Sequence, residues 1–287
     1  MGRYSFSADA VMKAILFAGV LACCAGAACA AEQSLPFQKI QTEPGALDGT
    51  DGHVQGIACS DENIYLSFTT TLLKLDWNGK VVKRAPARRH TGDIAYRNGR
   101  LYACVGKTKD PDKGLGGVAH IQVFDEDLNL IGEKRTPSAP GIDGIGILGD
   151  TVFVGGGSVE LGKPHTTNLV VRLNGKLEPT ASAWIDYGSK TKHGVQNVTV
   201  ANGLVWCFFY AANPKAGDRN CMILDTKLNL VGAMNLGSAN GVDALPSRFG
   251  KAVNPRFLVC RTIYPTKTSP KIAELTFVEV APTAKEI

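Results

Sequence analysis

Residues 90–103 read HTGDIAYRNGRLYA. Apolar side chains alternate through Ile94 and Tyr96, an Asn98-Gly99 pair interrupts them, and the alternation resumes at Leu101. A period of two marks a half-buried strand, and Asn-Gly supplies the positive-φ turn that joins two twisted strands, so the stretch is a β-hairpin. The opening phrase recurs four more times. HVQGIA (53–58) leads to IYL (64–66), GIDGIG (141–146) to VFV (152–154), and GVQNVT (194–199) to VWC (205–207). GVDAL (241–245) leads, after an insertion, to FLV (257–259). In the first four copies the step from Ile57, Ile94, Ile145 and Val198 to Tyr65, Tyr102, Phe153 and Trp206 is always eight residues, as one repeated hairpin requires.

A second hairpin follows in each copy. Leu73-Lys74-Leu75-Asp76 turns at Asn78-Gly79 into Val81-Val82, and Ile121–Phe124 turns through Asp125–Asp127 into Leu130-Ile131. Leu169–Arg172 turns at Asn174-Gly175, and Met222–Asp225 turns before Leu230-Val231. Four short strands in roughly 35–50 residues, repeated, are the pattern of a propeller blade. The sequence therefore predicts an all-β chain, a five-bladed β-propeller of four-stranded antiparallel blades. The last copy has a third strand near Ala273–Phe277 and little after it; Leu35–Ile40 is predicted to supply the fourth, closing the ring and leaving no open sheet edge. In its Asp-x-x-Gly-x-Val hairpins, such as Asp76–Val81, the chain resembles the broad NHL and YVTN-like repeat propellers. The resemblance covers nearly all of residues 31–287; it implies a fold and carries no catalytic residues over.

Residues 1–30 read as a signal peptide: Arg3 and Lys13 precede an apolar run from Ala14 to Ala25, and Ala28-Cys29-Ala30 makes a cleavage site. The rival reading is a lipoprotein anchor at Cys23, from Val20-Leu21-Ala22-Cys23. Either predicts a secreted or periplasmic protein whose single propeller domain is 31–287, with no transmembrane segment. Beyond the leader stand Cys59, Cys104, Cys207, Cys221 and Cys260, an odd number without C-x-x-C spacing and mostly in apolar runs. Buried free thiols are expected there, and no metal knuckle. The formal charge of +5, without aromatic-basic clusters, gives no reason to expect nucleic acid.

Naming the strands of a blade A to D from the axis outward, the D–A and B–C loops emerge on one face. The long B–C segments 106–119, 155–167, 211–220 and 262–270 gather there, where extended loops usually carry function. All five histidines map to the same end: His53 and His90 just before A strands, His193 one residue out of register, and His120 and His165 in B–C loops. Aligned by the repeat, Gln55, Gly92, Asp143, Gln196 and Asp243 form one ring at the channel mouth. Cations outnumber acids in these loops, which favours an anionic ligand.

The candidate catalytic residues are His53, His90, His193, Asp143 and Asp243. Gln55, Asp93, Gln196, Asn197, His165 and Arg89 are candidate ligand contacts. His53, His90 and His193 are also candidate ligands of a divalent metal, since neutral imidazoles suit such an ion. The favoured reading is a site for a polar or anionic small molecule or glycan. The alternative is a carbohydrate-active enzyme, a lyase or hydrolase, with Asp143 and Asp243 as paired carboxylates or a histidine as base. Other motifs are discounted: Gly155–Gly157 lacks the helix and Lys of a phosphate loop, and Asn197-Val198-Thr199 lies on an inner strand where a glycan cannot reach.

Overall fold

The computed structural model describes residues 39–108, 118–136, 141–156, 165–191, 194–209, 220–236, 240–250, 253–264 and 270–280, within a unit running from Phe37 to Ile287. The leader, Cys23 and His193 lie outside the described residues, as do the side chain of His165 and most of each long B–C loop. The first described strand is β1 (Lys39–Gln41), and four complete blades follow it. Blade 1 is β2 (Gly56–Cys59), β3 (Ile64–Ser67), β4 (Thr71–Leu75) and β5 (Val81–Pro86). Blade 2 is β6 (Thr91–Arg97), β7 (Arg100–Thr108), β8 (Val118–Asp125) and β9 (Leu130–Thr136). Blade 3 is β10 (Gly144–Leu148), β11 (Thr151–Gly155), β12 (His165–Leu173) and β13 (Pro179–Thr191). Blade 4 is β14 (Val195–Ala201), β15 (Leu204–Phe209), β16 (Cys221–Leu224) and β17 (Leu230–Met234). Blade 5 is β18 (Gly241–Ala244), β19 (Arg256–Ile263) and β20 (Ile272–Glu279), completed by β1. The fold is the five-bladed propeller that the repeat predicts.

Closure is made as expected, with Lys39, Ile40 and Gln41 pairing with Thr276, Leu275 and Glu274. Gly79 fixes where this strand lies: at φ +84° in the first C–D turn, its missing Cβ would stand 2.6 Å from the Gln41 carbonyl oxygen. The C–D turns of blades 1 to 4 share one device. Asp76, Asp125, Asn174 and Asp225 each accept, through Oδ1, the backbone N–H groups two and four residues on, at 2.8–3.0 Å. Such a side chain stands in for a backbone turn partner, which is why these positions read so clearly in the sequence.

The repeated aromatic is the second strand's contribution to the blade core. Tyr65, Tyr102, Phe153, Trp206 and Phe257 oppose Ala58, Ala95, Gly146, Thr199 and Ala244 across the A–B pairs. Phe153 and Phe257 are wholly buried, each worth roughly 1.5–3 kcal/mol. Phe257 meets Trp206 edge-on, ring centres 5.0 Å apart, which locks blade 5 to blade 4. Cys59, Cys104, Cys207, Cys221 and Cys260 are buried free thiols, as expected. No helix among the described residues is long and apolar enough to cross a membrane.

Candidate functional site

Five A strands crowd the axis, and the crowding sets what can sit there. A Cβ on Gly56 would lie 2.5 Å from both Cα and Oδ1 of Asp93, so only glycine allows blades 1 and 2 to approach so closely. Two of the A strands carry β-bulges. In blade 2 the ladder jumps from Thr91 opposite Val105 to Ile94 opposite Ala103, so Gly92 and Asp93 share one partner position. In blade 4 Gln196 is the extra residue between Val195 and Asn197. Bulges re-aim side chains, and these two direct the polar architecture of the hub.

Asp93 is the first result of that re-aiming. It was expected to contact ligand, but it is completely buried. Its Oδ2 accepts the backbone N–H of Ile145 in blade 3 at 3.0 Å and of Val198 in blade 4 at 2.9 Å. Its Oδ1 accepts from Asn197 Nδ2 at 3.1 Å, and Asn197 Nδ2 also reaches the Gln55 carbonyl at 2.9 Å. The Asp93 side chain thus ties together the inner strands of blades 2, 3 and 4, and Asn197 extends the link to Gln55 of blade 1. Burial pushes the Asp93 carboxyl well above the usual carboxylate range, against the pull of its donors. Asp93 and Asn197 are a plug in the axis; neither is open to a ligand at the mouth.

The repeat alignment placed Asp243 in one ring with Asp143, and the strand register corrects it. Asp143 precedes Gly144, which opposes Gly155, whereas Asp243 opposes Leu258, the position of Ile57, Ile145 and Val198 in their blades. In mouth register blade 5 presents Gly241, and Asp243 lies deeper. Its Oδ2 accepts the Cys59 N–H at 2.8 Å, and its Oδ1 accepts Thr199 Oγ1–H at 2.7 Å. Burial raises its carboxyl to about 6. The two carboxylates therefore do not lie at one level of the ring. Asn197 and Thr199 are both buried against the hub, in keeping with the discounted glycosylation site.

What remains at the mouth is smaller and better defined. Asp143 is half-buried, and Gln196 Nε2 donates to its Oδ2 at 3.4 Å, joining blade 3 to blade 4. Gln55 is half-buried and its Nε2 meets His53 Nε2 at 3.4 Å. Beside them Lys271 Nζ donates to the carbonyl oxygens of Thr50 and Gly52, at 2.5 and 2.8 Å. Burial first, and then the Lys271 charge, hold His53 below the usual imidazole range. Loop carbonyls are good ammonium partners, so Lys271 is a fixed cation at this rim; nothing in its sequence context pointed to it.

The other expected residues scatter. His90 and Arg89 are exposed on the loop before β6. His90 has φ +69°, and its carbonyl, rather than its ring, does the structural work by accepting the Gly106 N–H at 2.8 Å. His120 and His165 are residues of β8 and β12, not of loops. The His120 Nδ1 lies 2.8 Å from Glu133 Oε1, in a blade 2 cluster where Arg88 also pairs with Glu133. Among the described residues no group of His, Cys, Asp or Glu comes together to hold a metal ion.

No family model matches the chain, and no curated protein matches it. Solved structures do. The WD40 domain of Neurospora crassa Pan2 is 12% identical with TM-score 0.41, over 81% of this chain and 64% of that one. A gluconolactonase of Xanthomonas campestris is 12% identical with TM-score 0.44, over 78% and 72%. A protein of unknown function from Bacteroides caccae is 11% identical with TM-score 0.40, over 78% of each. The chain thus spans less than two thirds of the length of the first of these, and the likeness is one of fold.

Proposed function

We propose that this chain is an exported ligand-binding propeller whose channel mouth takes a polar or anionic small molecule or glycan. The observation that carries the reading is two sets of polar side chains before and within the inner strands: buried Gln196 against half-buried Asp143, and half-buried Gln55 against His53, with the Lys271 ammonium fixed beside His53. Few, convergent polar groups in a concave setting are how proteins orient small ligands. The Asp93 plug closes the channel beneath, so a ligand rests on the mouth and does not thread the axis. Neutral His53 and the amides of Gln55 and Gln196 suit hydroxyl groups, while Lys271 suits a carboxylate. Export rests on the leader pattern of residues 1–30.

The test is calorimetric titration of residues 31–287 with glucuronate and with glucose. Glucuronate is expected to bind more tightly than glucose, and Gln196→Ala combined with His53→Ala is expected to weaken it at least tenfold without changing the melting temperature. Equal binding to the double variant would place any ligand elsewhere and end this reading.

A further inference from the structure

The A–B and C–D turns lie on the face opposite the mouth. Between blades 2 and 3 they line an open cavity of about 330 Å³. Three turns build it. The β6–β7 hairpin contributes Arg97 and Arg100, the β10–β11 hairpin Asp150, and the β12–β13 turn Leu177. Asn98, at φ 48°, turns the first hairpin tightly, so Arg97 and Arg100 stand directly opposite each other as cross-strand partners. Like charges facing each other across a ladder repel, and an arrangement of that kind needs a compensating anion.

Asp125 stands across the ladder from Arg100 on the next strand, and Asp150 lines the same cavity. Arg97 Nε is shut off from solvent and has no hydrogen-bond partner among the described residues. Neither arginine forms an ion pair among those residues, with Asp150 or any other carboxylate. Nearby Lys134 is already engaged, by the Lys176 carbonyl and Glu178, so the cavity's own cations are these two guanidinium groups. A buried guanidinium N–H without an acceptor is costly, and a planar fork of such donors matches a carboxylate in two places at once. Tyr102, Ile147, Val152 and Leu177 form an apolar part of the wall beside Asn98, Asp150 and two glycines, and Val152 and Leu177 are buried. A volume of this order lies at the small end of ligand cavities.

We infer that this cavity is a second binding site, for a small organic carboxylate with an apolar body. The carboxylate lies between Arg97 and Arg100, the body lies against Tyr102, Ile147 and Leu177, and Asp150 stands free to accept a hydrogen bond from a hydroxyl or ammonium group on the ligand. The site is independent of the channel mouth, since it sits at the other ends of the strands.

Calorimetric titration of residues 31–287 with benzoate, benzamide and inorganic phosphate tests it. Benzoate is expected to bind, benzamide to bind at least tenfold more weakly for want of charge, and phosphate to bind more weakly for want of an apolar body. Arg97→Gln is expected to weaken benzoate at least tenfold while leaving glucuronate binding at the mouth as it is. Arg100→Gln, at an exposed position, provides a second variant if Arg97→Gln does not fold, and carries the same expectation. Absence of benzoate binding, benzoate binding unchanged in the variants, or benzamide or phosphate binding as well as benzoate would each overturn the inference.

Discussion

Asp93→Ala removes the side chain on which three inner strands converge, and its cost can be worked from the partners. Two backbone N–H groups, those of Ile145 and Val198, lose their acceptor in a site without solvent exposure. Each such orphan costs roughly 1–3 kcal/mol, giving about 4 kcal/mol for the two. Asn197 Nδ2 retains the Gln55 carbonyl and adds less. One term runs the other way: burial disfavours the Asp93 carboxylate, so its removal relieves the folded state at high pH. The net loss is expected to be larger at pH 5 than at pH 7.5. Against a typical domain stability of about 5–15 kcal/mol, it is a large fraction. Urea unfolding followed by tryptophan fluorescence measures it, since Trp206 and Trp77 are buried. The midpoint is expected to fall with the slope unchanged. Asp93→Asn, whose single Oδ1 can serve both backbone donors, is expected to lose less. A change within about 0.5 kcal/mol for Asp93→Ala, the range of ordinary surface substitutions, would refute the plug.

Asp243 gives a pH signature of defined sign. Its folded value of about 6 lies above the roughly 3.9 of an unfolded aspartate, so the stability it contributes is full below about pH 4 and lost as pH rises through about 6. The difference is about 3 kcal/mol, and urea unfolding of wild type against Asp243→Asn between pH 4 and 7.5 is expected to show wild type losing ground by that order; a pH-independent difference would contradict the burial. His53 is expected to titrate below a free histidine in an NMR pH series, and Lys271→Met to raise its midpoint by removing the neighbouring charge; an unmoved midpoint would separate the two residues.

The blade count and the hairpin turns were legible because each is local, and the closing strand because the last copy lacked a fourth strand. An Asn-Gly pair, an Asp that holds the N–H groups two and four residues on, and an aromatic eight residues after a β-branched residue act within a dozen positions of chain. The burial of Asn197 and Thr199 was legible in part: their place on an inner strand argued against a glycan, yet Asn197 was also expected to contact ligand. The repeat also located the mouth, because blade topology sends every D–A loop to one face. What it could not supply was depth along the axis. The insertion before Phe257 hid the offset of blade 5, so Asp243 read as a partner of Asp143 when its pairing with Leu258 sets it deeper. The bulges at Gly92–Asp93 and at Gln196 turned one expected ligand contact into the plug and left the other at the mouth. Those outcomes depend on contacts such as Asp93 to Asn197, which are 104 residues apart. The Arg97–Arg100 cavity follows the same rule: three ordinary turns carry no signal singly, and only the packing of blade 2 on blade 3 makes them a site.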